Sequence, residues 1–419
     1  MTTLASYLLP TDPALTRSVV RRSGLARLEE FVHLAKYLAS VPAYEDSYRE
    51  ALAALEQFDE EEPDVLFRRL ASPVFRGWLA LCGGVRRYGV EDPGLAIHLQ
   101  YLSTMRFRLS EGEYSTTMRS VGGYIATWDV GLVASVPGYD WVRVERTANR
   151  LVISTPDGRE LVRADNVTND FEADLETTSE GIRLLSAPYL PGSRVALRND
   201  VPQLRLQLSG SVERNAAIVF GAVDNSSESY PDFDAGPFLE AGSIISEAWP
   251  EEYADFQETL HVVVPRSAPR GWNARGMTVS SHQGAVWLFV RDVLELVEHL
   301  VHEQSHIKLR YVEESFPILE RDQKSERFRV GWRRDPRPLV GIYEGVYVHA
   351  HVLLALLACA RRGAFSGVTA QRCLDRAEHV AGELRDGLDI LVEHARFTAV
   401  GRAFAEWAMK LSQDLYPPA

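Results

Sequence analysis

The sequence predicts an α+β protein with a helical N-terminal part, a central antiparallel β-sheet, and a helical C-terminal part that carries an HExxH metal site. Three observations predict it. Apolar residues recur at three- and four-residue spacing over 14–108 and again from 286 onward, the period of amphipathic helices. Between these stretches the period falls to two, in short runs separated by turn residues, which is how hairpins and meanders read. The chain has 419 residues, 46% hydrophobic and 25% charged, the composition of an ordinary packed globule at a length that suggests two or three domains. The regions expected are a helical 1–110, a β-rich 111–270 and a mainly helical 271–419 that holds the chemistry.

In order, LTRSVVRRSGLARLEEFVHLAKYLASV opens the helical part, and helical segments follow at 49–58, 63–82 and 93–107. Pro63, Pro73 and Pro93 stand near their starts, where a missing N–H costs little. From about 112, WVRVERTANRLVISTPDGRELVRAD alternates apolar and polar residues around two turn signals, Thr147-Ala148-Asn149 and Pro156-Asp157-Gly158. RVALR, LRLQL and AAIVFGAV carry the strand pattern to about 224. After the acidic DNSSESYPDFDAGP, residues 238–260 return to helix, and HVVVP and GMTVSSHQGAVWLFV read as two short strands. Three helical pieces end the chain, VWLFVRDVLELVEHLVHEQSHIKLRYVEE, PLVGIYEGVYVHAHVLLALLACARR and VTAQRCLDRAEHVAGELRDGLDILVEHARFT. A charged connector, SFPILERDQKSERFRVGWRRDPRP, separates the first two.

Composition excludes several functions. A net charge of −13 and a pI near 5.4 argue against nucleic acid as a partner, since phosphate-backbone binding needs clustered Lys and Arg. Cys82, Cys359 and Cys373 contain no CxxC pair, which rules out a disulfide scaffold or a Cys-type zinc finger and fits a reducing, cytoplasmic setting. No basic segment precedes an apolar stretch at the N-terminus, and the longest apolar runs, such as VLLALLACA (352–360), are short for a membrane span. No membrane association is therefore expected. Phosphate-binding glycine loops and a GxSxG elbow are absent. The acidic clusters EQFDEEEPD and WPEEYADF read as solvated faces, with a docking surface for a basic leader peptide as the functional alternative.

The chemistry concentrates in His302-Glu303-Gln304-Ser305-His306. On a helix, residues i and i+4 share a face, so two imidazoles can converge on one metal ion. Glu303 lies about 100° around the helix, placed to touch a metal-bound water rather than to complete the ligand set. His299, three residues earlier, is near the same face and reads as a structural histidine. A third ligand must come from elsewhere, and the next helix offers Glu344, His349 and His351. Glu344 and His351 share a face, while His349 lies about 140° from Glu344, so one helix cannot present all three to one ion. With Glu344 the site is two-His, one-carboxylate, compatible with zinc hydrolysis or non-haem iron; with His349 it is three-His. Gly341 and Gly345 would permit this helix to pack closely on the HExxH helix. Arg333, Arg334 and Arg337 precede it, and such guanidinium forks suit a carboxylate; Lys308 is a further anion partner.

These residues resemble the HExxH-motif proteins found beside ribosomal peptide natural-product pathways. The resemblance runs over about 275–360. It rests on HExxH with Lys308 two residues on, Trp332-Arg333-Arg334-Asp335-Pro336-Arg337-Pro338, and Gly341 through His349 in a G-x-x-x-G-x-Tyr-x-His pattern. Members include 2-oxoglutarate-dependent iron hydroxylases that act at the β-carbon of residues in a precursor peptide. The resemblance implies Fe(II) held by His302 and His306, with His349 as third ligand and Glu344 as the alternative. It also implies 2-oxoglutarate held by Arg333 and Arg337 with Lys308 behind them, and O2 and a precursor peptide as partners. Glu303 would then orient a ligand or the co-substrate rather than act as a hydrolytic base. Two other readings stand beside it. One is a zinc metallopeptidase with Glu303 as general base and Glu344 as third ligand; the other is a non-catalytic peptide-binding protein with a structural metal. The sequence gives no indication of oligomeric state.

Overall fold

The structure, a computed structural model, describes Leu8, residues 12–38, Arg49, pieces of 67–80, most of 114–201, strands up to 223, and 233–415 with brief gaps. The segment read as helical at 49–58, apart from Arg49, the one at 93–107, and the run EQFDEEEPD lie outside the described residues. Helix α1 (Pro13–Leu38) starts on Asp12, whose side chain accepts a hydrogen bond from the Ala14 N–H.

The chain is α+β, with helices in its N- and C-terminal parts and a central antiparallel sheet. That sheet joins β1 (Tyr114–Arg119), β4 (Trp141–Thr147), β5 (Arg150–Ser154), β6 (Glu160–Asp165) and β7 (Asp174–Leu175), all antiparallel in that order. A smaller one joins β2 (Tyr124–Ala126), β3 (Val133–Ser135) and β8 (Arg183–Leu185). Both sequence turn signals fall between paired strands. At the second, Gly158 takes φ 95°, a conformation that a side chain would strain. Alternation buries Val142, Val144, Leu151 and Ile153 against Ile125, Ala134 and Leu184 of the smaller sheet, a core of its own.

A second, mixed sheet carries the site. Its order is β13 (Gly276–Thr278), β14 (Ala285–Leu288), β12 (Val262–Pro265), β9 (Ala196–Leu197), with β12 parallel to both neighbours and β13 an antiparallel edge. The residues of β12 and β14 are all buried, because both faces of this sheet are covered. Val263, Val286 and Leu288 face the C-terminal helices, while Val262, Val264 and Trp287 face Phe31 and Phe75. Strands from both sides of residue 270 pair, and among the described residues one core cluster includes residues from Leu8 to Ala408. Two more strands, β10 (Leu206–Ser209) and β11 (Ala217–Val223), form a hairpin apart.

The helix expected over 238–260 is two, α2 (Gly236–Ala248) and α3 (Pro250–Thr259), broken where Pro250 opens the second. Residues 286–288 belong to β14 rather than to the HExxH helix. That helix, α4 (Val293–Ser315), starts where the Asp292 side chain accepts from the Glu295 N–H at 3.1 Å. The connector contributes the short pair β15 (Arg327–Phe328) and β16 (Arg337–Pro338). Then come α5 (Leu339–Arg362), α6 (Gly367–His394) and α7 (Ala399–Leu415). By length and composition α5 is apolar enough to cross a membrane; most of it is buried, and it packs against α4 and α6.

Candidate metal centre

Helix α4 is buried along most of its length, and Leu296, Leu300, Val301, Ile307 and Leu309 fix how it sits. His302 and His306 stand one turn apart with their Nε2 atoms 3.3 Å from each other. Two nitrogens each about 2.0–2.1 Å from one tetrahedral ion would lie about 3.3 Å apart, so this gap fits a shared divalent metal. On its other side, His306 Nδ1 is 2.9 Å from Glu344 Oε1. That carboxylate fixes the ring and leaves Nε2 for a metal, the brace seen behind many metal-bound histidines. Glu344, the alternative third ligand, has its carboxylate at the ring nitrogen turned away from the gap. Burial, together with the neighbouring imidazoles and Arg333, holds His302 well below the ordinary imidazole range, so its lone pair is free at neutral pH. At His306 burial opposes a charge, but Glu344 outweighs it and raises the ring; Glu344 in turn is drawn down to about 2 despite its burial, chiefly by His306.

Glu303 points to the edge of the mixed sheet. A Cβ on Gly276 would lie 2.7 Å from its Oε1, so only glycine leaves room for it there. Burial pushes this carboxyl up to about 7, against the opposing pull of His306 and the Thr278 hydroxyl.

His349 is buried on α5, with the Trp332 ring edge-on at 4.8 Å and 89°, and its Nδ1 has no hydrogen-bond partner. Burial, then Arg376, lowers it to about 3, which keeps it neutral. His349 and the pair are close enough for their charges to be felt mutually. Even so, among the described residues no three His, Cys, Asp or Glu side chains converge tightly enough to hold an ion. The structure brings together the pair and its carboxylate brace, with His349 beside them. His351 is elsewhere, its Nδ1 on the Tyr347 carbonyl and its ring stacked on Trp249. His299 flanks His302 at 5.7 Å between ring centres, and burial lowers it to about 4.

Of the three anion candidates, Arg333 is the one whose charge is felt at the centre. Its charge acts on His302, Glu303, Glu344 and His349, and among the described residues its guanidinium makes no hydrogen bond or ion pair. Arg337 is engaged by Asp335 at 3.1 Å. Lys308 is placed away from the pair. It lies about 200° around α4 from His306, on the opposite face, fully buried and bonded to Asp255. The same contact corrects the reading of WPEEYADF as a solvated or docking face, since Glu252 and Asp255 are both 0% exposed. Gly341 and Gly345 do not bring α5 onto α4. Gly345 makes room for Trp332, whose ring a Cβ would meet at 3.0 Å, and Gly341 lies beside Arg337.

Sequence reading missed Gly276, Thr278 and Arg310 as parts of this centre. Arg310 reaches Glu344 at 3.5 Å. A signal for it existed, because His302, His306 and Arg310 form a polar stripe at four-residue spacing on an otherwise buried helix. No family model and no curated protein matches the chain.

Proposed function

We propose that this chain is an Fe(II)- and 2-oxoglutarate-dependent hydroxylase that acts at a side-chain β-carbon of a ribosomally made precursor peptide. The observation that carries the proposal is the dihistidine gap of metal-binding width, with the Arg333 charge near enough to act on it. Hydrolysis needs no such cation, whereas a dicarboxylate co-substrate beside a metal does. The choice of a peptide and of its β-carbon rests on the resemblance of residues 275–360.

In this reading His302 and His306 hold the metal through Nε2, and His349 supplies the third donor. Bound Fe(II), with 2-oxoglutarate and O2, supplies the oxidising chemistry that replaces a C–H bond by C–OH. Arg333 binds the distal carboxylate, and Arg337 adds to the positive field after exchanging Asp335 for it. Glu344 keeps the His306 ring in one orientation. Glu303, its carboxyl raised by burial to about 7 between α4 and β13, orients whatever lies over the pair by hydrogen bonding.

One observation favours a second reading. A carboxyl raised to about 7 beside the pair also suits the general base of a zinc peptidase. One experiment separates the two. Purified protein is mixed anaerobically with Fe(II), then titrated with 2-oxoglutarate while visible absorption is followed. The proposal expects a saturable charge-transfer band and, for Arg333→Ala, about 10–100-fold more 2-oxoglutarate at half-saturation, the loss of one to two charge-assisted hydrogen bonds. Absence of any band, together with zinc-dependent peptide cleavage that Glu303→Gln abolishes, would replace the hydroxylase by the peptidase. Tight metal without either activity would leave only the peptide-binding protein.

A further inference from the structure

We propose that Trp332 is the positioning residue for Arg333: lodged between α5 and α6, its indole seats the turn from which Arg333 holds a carboxylate co-substrate at the His302–His306 pair. This rests on the proposed function, which it deepens by naming the residue that sets the anion site.

Arg333 is exposed, on the loop 329–336 that joins β15 to β16. An arginine has many rotamers, and a loop free to wander would spread its charge over the surface instead of holding it in one place. Yet that charge acts on His302 and Glu303 of α4 and on Glu344 and His349 of α5. The pairing of β15 with β16, Arg327 opposite Pro338 and Phe328 opposite Arg337, fixes only the base of the loop.

Trp332 fixes the rest. The Arg333 N–H donates to the Val330 carbonyl at 3.2 Å and closes a turn whose two central residues are Gly331 and Trp332. From this turn the indole enters a slot between two helices. A Cβ on Gly345 of α5 would lie 3.0 Å from its Cζ2 and 3.1 Å from its Nε1, and one on Gly387 of α6 would lie 2.6 Å from its Cη2. Neither glycine takes the left-handed backbone, and inside a helix glycine is the poorest former after proline. What the two supply is therefore room for the ring. The loop backbone is equally close to α6, since a Cβ on Gly331 would lie 3.0 Å from Asp386 Oδ2. The His349 ring, at 89° and 4.8 Å, closes another side of the slot. Val330 is buried in the main core, and Phe328 stacks on His394 at 4.5 Å between ring centres. With the indole seated, the backbone it shares with Arg333 is held, and only one side chain is left to order when the anion arrives.

The test uses full-length protein loaded with Zn(II), a redox-inert ion, and titrated calorimetrically with 2-oxoglutarate. Trp332→Leu should weaken 2-oxoglutarate binding about tenfold, approaching Arg333→Ala, with partial recovery in Trp332→Phe. Gly345→Ala keeps the tryptophan but sets a methyl against the indole, and should weaken binding about threefold. Zn(II) affinity, read by chelator competition, should stay within about twofold of wild type in all of these. In metal-free protein, trypsin should cut after Arg333 and Arg334 faster in Trp332→Leu than in wild type. Because Trp332 acts through Arg333, adding Trp332→Leu to Arg333→Ala should weaken 2-oxoglutarate binding no further, whereas a merely structural tryptophan would multiply the two losses. Wild-type protein that binds Zn(II) but no 2-oxoglutarate would overturn the proposed function and this inference with it. Saturable binding that Trp332→Leu leaves unchanged, losses that multiply, an equal loss of Zn(II) affinity, or cleavage no faster than in wild type would overturn this inference and leave the proposed function standing.

Discussion

Replacing Lys308 by Met tests whether its ammonium is structural. Methionine matches the lysine stem in length, so little cavity is created and the effect is electrostatic. Nζ is bonded to Asp255, and both side chains are 0% exposed. Asp255 Oδ1 also accepts from the Thr16 hydroxyl at 2.7 Å, and Glu252, 0% exposed, has neither oxygen hydrogen-bonded. Removing the one cation leaves Asp255 as an uncompensated buried charge, at a cost of about 3–5 kcal/mol at pH 8. Asp255 can evade this by taking a proton. From an unfolded value near 3.9 that costs about 1.4 kcal/mol per pH unit, so the penalty shrinks to about 1.5 kcal/mol at pH 5. The Lys308→Met/Asp255→Asn double variant removes both charges and should recover to within about 1 kcal/mol of wild type. Urea unfolding at both pH values measures all three. A loss below 1 kcal/mol at pH 8 would refute the reasoning. So would an unchanged stability accompanied by a raised 2-oxoglutarate requirement, which would return Lys308 to the anion site.

Asp292→Ala removes the N-cap of the HExxH helix and should cost about 1 kcal/mol at pH 7. Burial opposes ionisation of Asp292, but Arg372 and the first-turn amides outweigh it and lower its pKa. Its stabilisation is therefore full above the unfolded value and lost as pH falls through the lower folded one, so the difference between variant and wild type should narrow toward pH 3 in thermal melts. Glu252 has the opposite sign. Burial, then Asp255, pushes it up to about 8, so its contribution is full below the unfolded value near 4.5 and drains away as pH rises through about 8. Glu252→Gln should thus gain on wild type from pH 5 to about pH 8 and level off above it in urea midpoints; parallel profiles would contradict the buried neutral carboxyl.

Much of this was legible in the sequence because local periodicity and local turns determine it. The alternation of WVRVERT and the Pro156-Asp157-Gly158 turn describe their hairpins fully, and the four-residue spacing of His302 and His306 is a property of one helix. What was not legible depends on long-range neighbours. VVVP has no alternation because β12 is covered on both faces, and its parallel partners β9 and β14 lie on either side of it in sequence. WPEEYADF reads as a solvated face until Lys308 arrives from α4 to bury it. Glu344 reads as a ligand by residue type, but whether a carboxylate meets a metal or the back of an imidazole is decided by the approach of α5 to α4. Gly276 carries no chemistry of its own and matters only because Glu303 occupies the space where its side chain would be.

The central claim, one metal ion between His302 and His306, is tested most directly by anaerobic calorimetric titration of metal-free protein with Fe(II). The account predicts one equivalent bound by the wild type and none by His302→Ala/His306→Ala, with both proteins showing the same far-UV circular dichroism. No uptake by the wild type, or equal uptake by the double variant, would contradict it.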